Sequence, residues 1–570
     1  MKQYALLFTG LAVLCSCLLT SCDDKLPPPA RTGYGLKAEN GMVVSAHPEA
    51  SLVGVEILRK GGNAIDASVA TGFALAVCYP NAGNIGGGGL MVLRLDNGTV
   101  DALDYRERAP MEAAGDMYLD ENGEVIEGAS TSTHLASGVP GSVDGLYRAH
   151  SKYGQLSFAE VIQPAIDMAE KGFIISEKQA RDLNSIQKTL NERNDHSTAF
   201  HKAEKWMKGD TLRQAELAQT LTRIRDQGPD GFYKGETANL IVKEMGKAGG
   251  LITAGDLADY KAIWREPLRS AYKNYGLIAM PPVSSGGVAT IQLMTMVENY
   301  PLKEWGFHSP EAIHLMVEAE RRVYADRAEY LGDPDYFKVP VKELTDKDYL
   351  AGRMSDFDPD RSSLSSEISA GTLRLDESEE TTHYSVTDSY GNAVSVTTTL
   401  NGGYGNCIVV EGAGFFLNNE MDDFSIKPGF PNIYGLVGGK ANSIEPGKRM
   451  LSSMTPTIVE KNGELYMVVG SPGGSTIITS VFQVILNVIE FDMDMQEAVD
   501  RSRFHHQWLP DYISYEENGF SEQILEKLKS KGHTLKERGT IGRVDAIRIT
   551  EDRLFEGGAD KRGDDMAAGY

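Results

Sequence analysis

The stretch Glu380-Thr381-Thr382-His383-Tyr384-Ser385-Val386 carries the residue types, and the setting, for nucleophilic chemistry. Upstream, residues 354–380 are acidic, rich in Ser and without a sustained helical or strand period, which predicts an exposed loop. Downstream, alternating runs at 384–387 and 393–400 flank Ser389-Tyr390-Gly391-Asn392, which predicts a β-hairpin. Thr381 therefore stands where a cuttable loop meets a strand. Scission before it would expose a free α-amine beside its own hydroxyl. A hydroxyl is a poor nucleophile until a base takes its proton, and an adjacent amine with a pKa near ~8 is a suitable base. Two β-branched residues that merely open a strand would look the same on composition alone.

A second chemical element lies at Gly473-Gly474-Ser475, which opens a helix whose apolar positions include Ile477, Ile478, Val481, Phe482, Ile485 and Val488. Backbone N–H groups at a helix start are unpaired and the dipole there favours negative charge. Two glycines admit a reacting carbonyl, so the stretch reads as an oxyanion hole; standing alone it would read as a tight turn. His505-His506 invites a metal reading, but adjacent histidines on a strand face opposite ways and no Cys or carboxylate accompanies them at ligand spacing, so they are expected to be structural. Asn84-Ile85-Gly86-Gly87-Gly88-Gly89 lacks the Lys of a phosphate loop.

Thr381-Thr382-His383-Tyr384-Ser385-Val386 with Gly391-Asn392-Ala393-Val394 closely resembles the start of the small subunit of gamma-glutamyltranspeptidases. The resemblance runs on through Leu417-Asn418-Asn419-Glu420-Met421-Asp422-Asp423-Phe424, Leu451-Ser452-Ser453-Met454 and Gly470-Ser471-Pro472-Gly473-Gly474 to Ala568-Gly569-Tyr570. It leaves out only the first ~35 residues. It implies cleavage between Glu380 and Thr381, and acyl transfer at a γ-glutamyl amide such as glutathione. Thr381 is then the nucleophile and its amine the base. Gly473 and Gly474 stabilise the oxyanion, and Thr399 hydrogen-bonds the nucleophile. Asn401, Glu420 and Asp423 match the residues around the substrate α-amine, and Arg106, Ser452 and Ser453 those around its α-carboxylate. Arg106, inside Asp104-Tyr105-Arg106-Glu107, would by default be a solvated charge at a strand end. Its guanidinium fork suits a carboxylate through two parallel bonds. Position 420 is Glu where many bacterial relatives carry Gln, which adds a carboxylate for the ammonium. Residues 427–440, with Tyr434, resemble a lid over the substrate. His383 is expected to take no catalytic role, the glycines at 86–89 to pack backbone closely near the site, and no cofactor or metal is implied.

Two other readings compete. A cephalosporin or glutaryl amidase of the same superfamily shares the nucleophile and the glycines, though the lid stretch and Asp423 favour a γ-glutamyl donor. A solute-binding lipoprotein would never cleave itself, and would stay one band on a denaturing gel.

These residues need elements to hold them. Helices are predicted over 49–60, stopped by Gly61-Gly62, and over 63–78, where Asn63 caps and Asp66 takes the capping-box position. Asp96-Asn97-Gly98 and Asn462-Gly463 mark further hairpins, the first placing Arg106 after strand 100–105. Residues 157–331 read as mostly helical scaffold, including the helix opened by Ser309-Pro310-Glu311, and the loop at 279–287 is assigned no chemistry. Paired strands on both sides of Thr381 with helices outside predict an α+β protein of two stacked sheets under helical layers. The resemblance implies the four-layer αββα sandwich of N-terminal-nucleophile hydrolases, with 35–380 and 381–570 forming one folded unit as large and small subunits.

At 570 residues and 41% hydrophobic content the chain can bury a large core, and its formal net charge of −24 argues against a nucleic-acid partner. Lys2 precedes an apolar run at 4–19, too short to span a bilayer and read as an export signal. It ends in Leu19-Thr20-Ser21-Cys22, which resembles a bacterial lipobox. Residues 1–21 would leave as signal peptide, Cys22 would carry lipid, and 22–34, with Pro27-Pro28-Pro29, would be a stiff tether to a membrane. A soluble export signal that happens to contain Cys is the alternative. Cys78 and Cys407 then remain, either paired or, as their apolar contexts favour, buried thiols.

Overall fold

Two seven-stranded sheets, antiparallel at every pairing, form the centre of the computed structural model. It describes residues 35–370, 382–427, 430 and 440–570; Cys22, Glu380, Thr381 and Tyr434 lie outside the described residues. One sheet runs in the order Met566–Gly569, Gly41–Ser45, Thr382–Asp388, Ala393–Thr399, Gly88–Arg94, Val100–Tyr105, Ile263–Arg265. The other runs Leu36–Ala38, Phe555–Gly558, Asp545–Ile549, Glu464–Gly470, Thr457–Lys461, Tyr275–Ala279, Leu268–Tyr272. Strands from before and after position 381 interleave in both of these sheets, so each is built by both parts of the chain.

The period of two in the central hairpin decides what each face does. Tyr384, Val386, Val394 and Val396 point outward into a core shared with the helices Pro48–Arg59 and Ala64–Cys78. The alternate residues face the second sheet and tie to it by polar contacts. Ser385 Oγ donates to Asp545 O (3.1 Å) and Ser395 Oγ to Val469 O (3.1 Å). Leu90, Val92 and Ala393 meet Ile278, Ile458 and Val468 in the same interlayer. Beyond the second sheet, the helices Gly286–Val297, Pro310–Tyr330 and Ser475–Ile489 cover Leu277, Val459, Met467 and Val469. The result is the expected α+β stack of helix, sheet, sheet, helix.

Local signals held where they were local. Asn63 Oδ1 accepts from Asp66 N (3.0 Å) while the Asp66 carboxylate accepts from Asn63 N (3.0 Å), the reciprocal capping box. Cys78 and Cys407 are buried free thiols. Two boundaries differ. The helical middle also contributes Ile263–Arg265, Leu268–Tyr272 and Tyr275–Ala279 as strands. Leu268–Tyr272 is an edge strand that exposes Arg269 and Ala271 alternately, too faint a pattern to stand out. The strand expected from Met91 begins at Gly88, because Cβ atoms there would strike backbone: one on Gly89 would lie 2.7 Å from Thr397 O. Among the described residues no helix is long and apolar enough to cross a membrane.

Candidate active site

The described part of the central hairpin starts at Thr382, paired with Thr398, and ends its second strand at Thr399. Thr399 is buried at 1% exposure, and its Oγ1 accepts from Asn401 N (2.8 Å). Asn84 Nδ2 donates to Thr399 O (2.7 Å), and a Cβ on Gly87 would lie 2.0 Å from that oxygen. The glycine run thus packs backbone directly under the strand end, as expected. Asn401 adopts a left-handed φ of 66°, a conformation Asn tolerates better than most residues, and this sends its Nδ2 to Asn419 O (2.9 Å).

Asn419 leads into the short 3₁₀ turn Glu420–Asp423. Asn418 holds the turn in place: its Oδ1 accepts from Gly138 N (2.8 Å) and Glu420 N (3.0 Å), and its Nδ2 donates to Gly86 O and Gly138 O (2.8 Å each). The turn delivers two carboxylates to Arg106. Arg106 is no solvated strand end, being 1% exposed. Nη1 donates to Glu420 Oε1 and, at 3.5 Å, to Glu107 Oε2; Nη2 donates to Asp423 Oδ2 and to Leu451 O (3.1 Å). Nε donates to Met450 O (3.3 Å). All five N–H groups are engaged, so the guanidinium fork is closed upon the protein's own acids and backbone carbonyls.

Three carboxylates around one guanidinium leave an excess of negative charge, and burial resists it. Burial pushes the Glu107 carboxyl up to about 7 against the pull of Arg106. Burial, with Glu107 and Asp423 alongside, raises Glu420 well above the ordinary carboxylate range. Arg106 is held more firmly cationic by Glu420 and Asp423, although burial alone would act the other way.

The segment after Arg106's carbonyl partners is fastened from three sides. Asn442 joins it to the acidic turn, donating to Asp423 O (2.6 Å) and accepting from Leu451 N (3.0 Å). Ser452 N donates to Val283 O (3.0 Å), and Ser452 O accepts from Ser285 N (2.7 Å) and Ser285 Oγ (2.8 Å). Ser453 Oγ accepts from Arg327 Nη2 (3.1 Å). Ser452 and Ser453 are 1% and 3% exposed, so both reach a buried site.

Gly473 has φ 121° and Gly474 φ 57° with ψ −123°, regions that L side chains rarely adopt. They form the turn into Ser475–Ile489, whose first residues have no side-chain cap. Gly470, at the end of the preceding strand, packs against the His383 ring: a Cβ there would lie 2.3 Å from it. His383 bonds Thr397 Oγ1 and Ser385 Oγ (3.0 Å each), and burial lowers its pKa to about 3, so it is a neutral interlayer group. His505 bonds Ser475 Oγ (3.2 Å), Thr479 Oγ1 (2.9 Å) and Gln507 Oε1 (2.9 Å), whereas His506 meets Asp511 Oδ1 (3.2 Å). The two rings serve separate networks. Elsewhere, two His and carboxylate groups converge among the described residues: His314, Glu318 and His533, and His196, Glu244 and Glu411. Their carboxylates are already held by cations, Glu318 by Arg321 (3.2 Å) and Arg322 (2.7 Å), and Glu244 and Glu411 by Lys247 (3.0 and 3.2 Å).

The structure therefore gathers Thr399, Asn401, Glu420, Asp423, Arg106, Ser452 and Ser453 along one connected path of contacts. It adds residues that sequence reading left without a role. Asn84, Asn418, Asn419 and Asn442 clamp backbone, Ser284 and Ser285, in a loop assigned no chemistry, donate to Ser452 O, Glu107 joins the charge cluster, and Arg327 lies on a helix read as scaffold. The signal for Asn418 and Asn419 was their place directly before the acidic run Glu420-Met421-Asp422-Asp423.

The gamma-glutamyltranspeptidase family model matches residues 50–570. A relative from Escherichia coli, named a glutathione hydrolase proenzyme, is 47% identical over 555 residues, covering 95% of this chain and 96% of the relative. Among solved structures, a cephalosporin acylase from Bacillus halodurans superposes with a TM-score of 0.82 at 25% identity, over 96% of this chain and 98% of that one. A Helicobacter pylori gamma-glutamyltranspeptidase gives a TM-score of 0.57 at 42% identity, over 61% of this chain and 97% of that one. With a family match that begins at residue 50 and runs through the acidic turn, the serine pair and the two glycines to the last residue, the chain belongs to the gamma-glutamyltranspeptidase family.

Proposed function

We propose that the protein is a γ-glutamyl acyltransferase and hydrolase acting on glutathione and related γ-glutamyl amides, after autoproteolysis between Glu380 and Thr381. The observation that carries this reading is the buried cluster of Arg106, Glu420 and Asp423, one guanidinium between two carboxyl groups at the end of a connected path from Thr399. A γ-glutamyl donor ends in a zwitterion, and such a cluster offers a cation for its carboxylate and carboxyl groups for its ammonium. On binding, the donor exchanges into the existing ion pairs. Its ammonium takes Glu420, Asp423 and the Asn401 region, and the N–H groups so released on Arg106 turn to its carboxylate beside Ser452 and Ser453. The Thr381 hydroxyl then attacks the γ-carbonyl as the Thr381 amine accepts its proton. The N–H groups at Gly473 and Gly474 receive the oxyanion, and Thr399 steadies the nucleophile. The amine leaves with a proton, and water or an acceptor amine opens the γ-glutamyl ester.

The mature enzyme is a pair of chains from one precursor, 35–380 and 381–570 forming one folded unit. It is exported, with residues 1–21 removed and Cys22 lipidated on a short tether, facing the periplasm or the cell surface; the apolar run and the Leu-Thr-Ser-Cys ending support this. The test is product analysis on glutathione with and without an acceptor dipeptide, beside Thr381→Ala. Wild type should release glutamate, or form a γ-glutamyl dipeptide when the acceptor is present. Thr381→Ala should be inert and remain one chain. A glutaryl amide turned over as fast as the γ-glutamyl amide would instead support the amidase reading, which the fold likeness to a cephalosporin acylase keeps in view.

A further inference from the structure

On the helix Pro310–Tyr330, Glu320, Tyr324 and Arg327 follow at spacings of four and three, which sets them on one face. All three are buried, and each grips a different segment around the site. Glu320 Oε2 accepts from His506 N (2.9 Å). Tyr324 Oη donates to Ser475 O, the residue after the two glycines. Arg327 Nε donates to Ser285 Oγ (2.9 Å) and its Nη2 to Ser453 Oγ (3.1 Å).

A guanidinium can only donate, and a hydroxyl carries one hydrogen and two lone pairs. Ser285 Oγ therefore spends a lone pair on Arg327 and donates its hydrogen to Ser452 O at 2.8 Å, which fixes the carbonyl of the serine pair. Ser453 Oγ likewise accepts from Arg327, so its hydrogen is directed away from the guanidinium. We propose that Arg327 is a positioning residue for carboxylate recognition: it presets the Ser452–Ser453 segment and turns the Ser453 hydroxyl hydrogen toward the α-carboxylate of the donor. The inference rests on the γ-glutamyl reading above, in which Ser453 meets that carboxylate. It also adds a buried positive charge one hydroxyl behind the carboxylate, useful where every N–H of Arg106 starts out engaged. Lys cannot substitute, since a single ammonium does not span Ser285 and Ser453 as Nε and Nη2 do.

The experiment compares γ-glutamyl-p-nitroanilide with γ-aminobutyryl-p-nitroanilide, which keeps the amine and lacks the carboxylate. Arg327→Gln and Arg327→Lys should raise KM for the γ-glutamyl donor by about tenfold or more, as loss of a hydrogen bond to a charged group implies, with kcat little changed. Turnover of the γ-aminobutyryl donor should keep its wild-type kcat/KM. Ser453→Ala should show the same selective loss, and the double variant Arg327→Gln/Ser453→Ala should lose clearly less than the two single losses combined, because Arg327 acts in part through that hydroxyl. Equal losses on both donors, a fall in kcat at unchanged KM, or additive losses would overturn the proposal. If the Arg327 variants fail to yield cleaved protein, Ser453→Ala decides: an unchanged KM for the γ-glutamyl donor overturns it. Wild type that does not discriminate between the donors sinks the γ-glutamyl reading, and this inference with it. Discrimination by wild type with no selective loss in the variants sinks this inference alone.

Discussion

Replacing Arg106 by Met should produce a pH-dependent instability, because the substitution strands Glu107, Glu420 and Asp423 in a buried site without their cation. Glu107, at about 7, and Glu420, raised well above the ordinary range, are already disposed to hold protons, so Asp423 dominates the change. A stranded Asp423 either stays charged in the interior or takes a proton. Holding a carboxyl of solution pKa about 3.9 neutral costs about 1.4 kcal/mol per pH unit above that value, roughly 5–6 kcal/mol at pH 8 and roughly 1.5 kcal/mol at pH 5. Breaking buried ion pairs typically costs about 3–5 kcal/mol after relaxation, which caps the effect at high pH. The sign follows from the variant's folded-state pKa lying above its unfolded value. The penalty is absent below about pH 3.9 and grows as pH rises. Urea unfolding of Arg106→Met against the parent, both in a Thr381→Ala background to keep one chain, should give a destabilisation of about 3–5 kcal/mol at pH 8 that shrinks to about 1.5 kcal/mol at pH 5. A difference that is the same at both pH values, or below about 1 kcal/mol at pH 8, would refute the charge-cluster argument.

Gly470→Ala should destabilise by about 1–3 kcal/mol, since its Cβ would fall 2.3 Å from the His383 ring, and adding His383→Ala should restore much of the loss; additive melting shifts would show that the two do not compete for space. The inhibition constant of free glutamate should fall as pH rises through about 7, where Glu107 ionises and strengthens attraction for an ammonium, and Glu107→Gln should flatten the profile. The same raised pKa makes this group's contribution to stability fall between its solution value and about 7, so a wild-type stability profile that climbs steadily over that window would count against it. Cys22→Ala should move the protein out of the detergent-soluble membrane fraction or block its maturation, and an unmodified Cys22 in the mature protein by mass spectrometry would exclude the anchor.

What the chain discloses unaided follows the range of each interaction. The Asn63 capping box and the hairpin at Asp96-Asn97-Gly98 are local, and sequence reading placed both. His383 was given no catalytic role because the base expected here is an amine; what no local pattern disclosed is that its ring packs over Gly470 between the two sheets. Arg106 was singled out from the sequence, yet its burial among acids was not legible, because its partners arrive from 420–423 and 450–451, far along the chain. Arg327 was harder still. A helix face carrying Glu320, Tyr324 and Arg327 has the same pattern as a solvated face, and only packing reveals that all three are buried. The edge strand Leu268–Tyr272 was missed for the converse reason, since its alternation of half-buried and exposed residues barely differs from that of a loop.

The central claim is that Thr381 becomes the amino-terminal residue of a second chain and acts as the nucleophile from there. It is tested most directly by sequencing the smaller chain from enzyme that is turning over glutathione. Two bands are expected on a denaturing gel, the smaller beginning Thr-Thr-His-Tyr, and a Thr381→Ser variant should mature slowly into the same two chains. Full activity on glutathione from a single uncut chain, or a smaller chain that begins at any other residue, would contradict it.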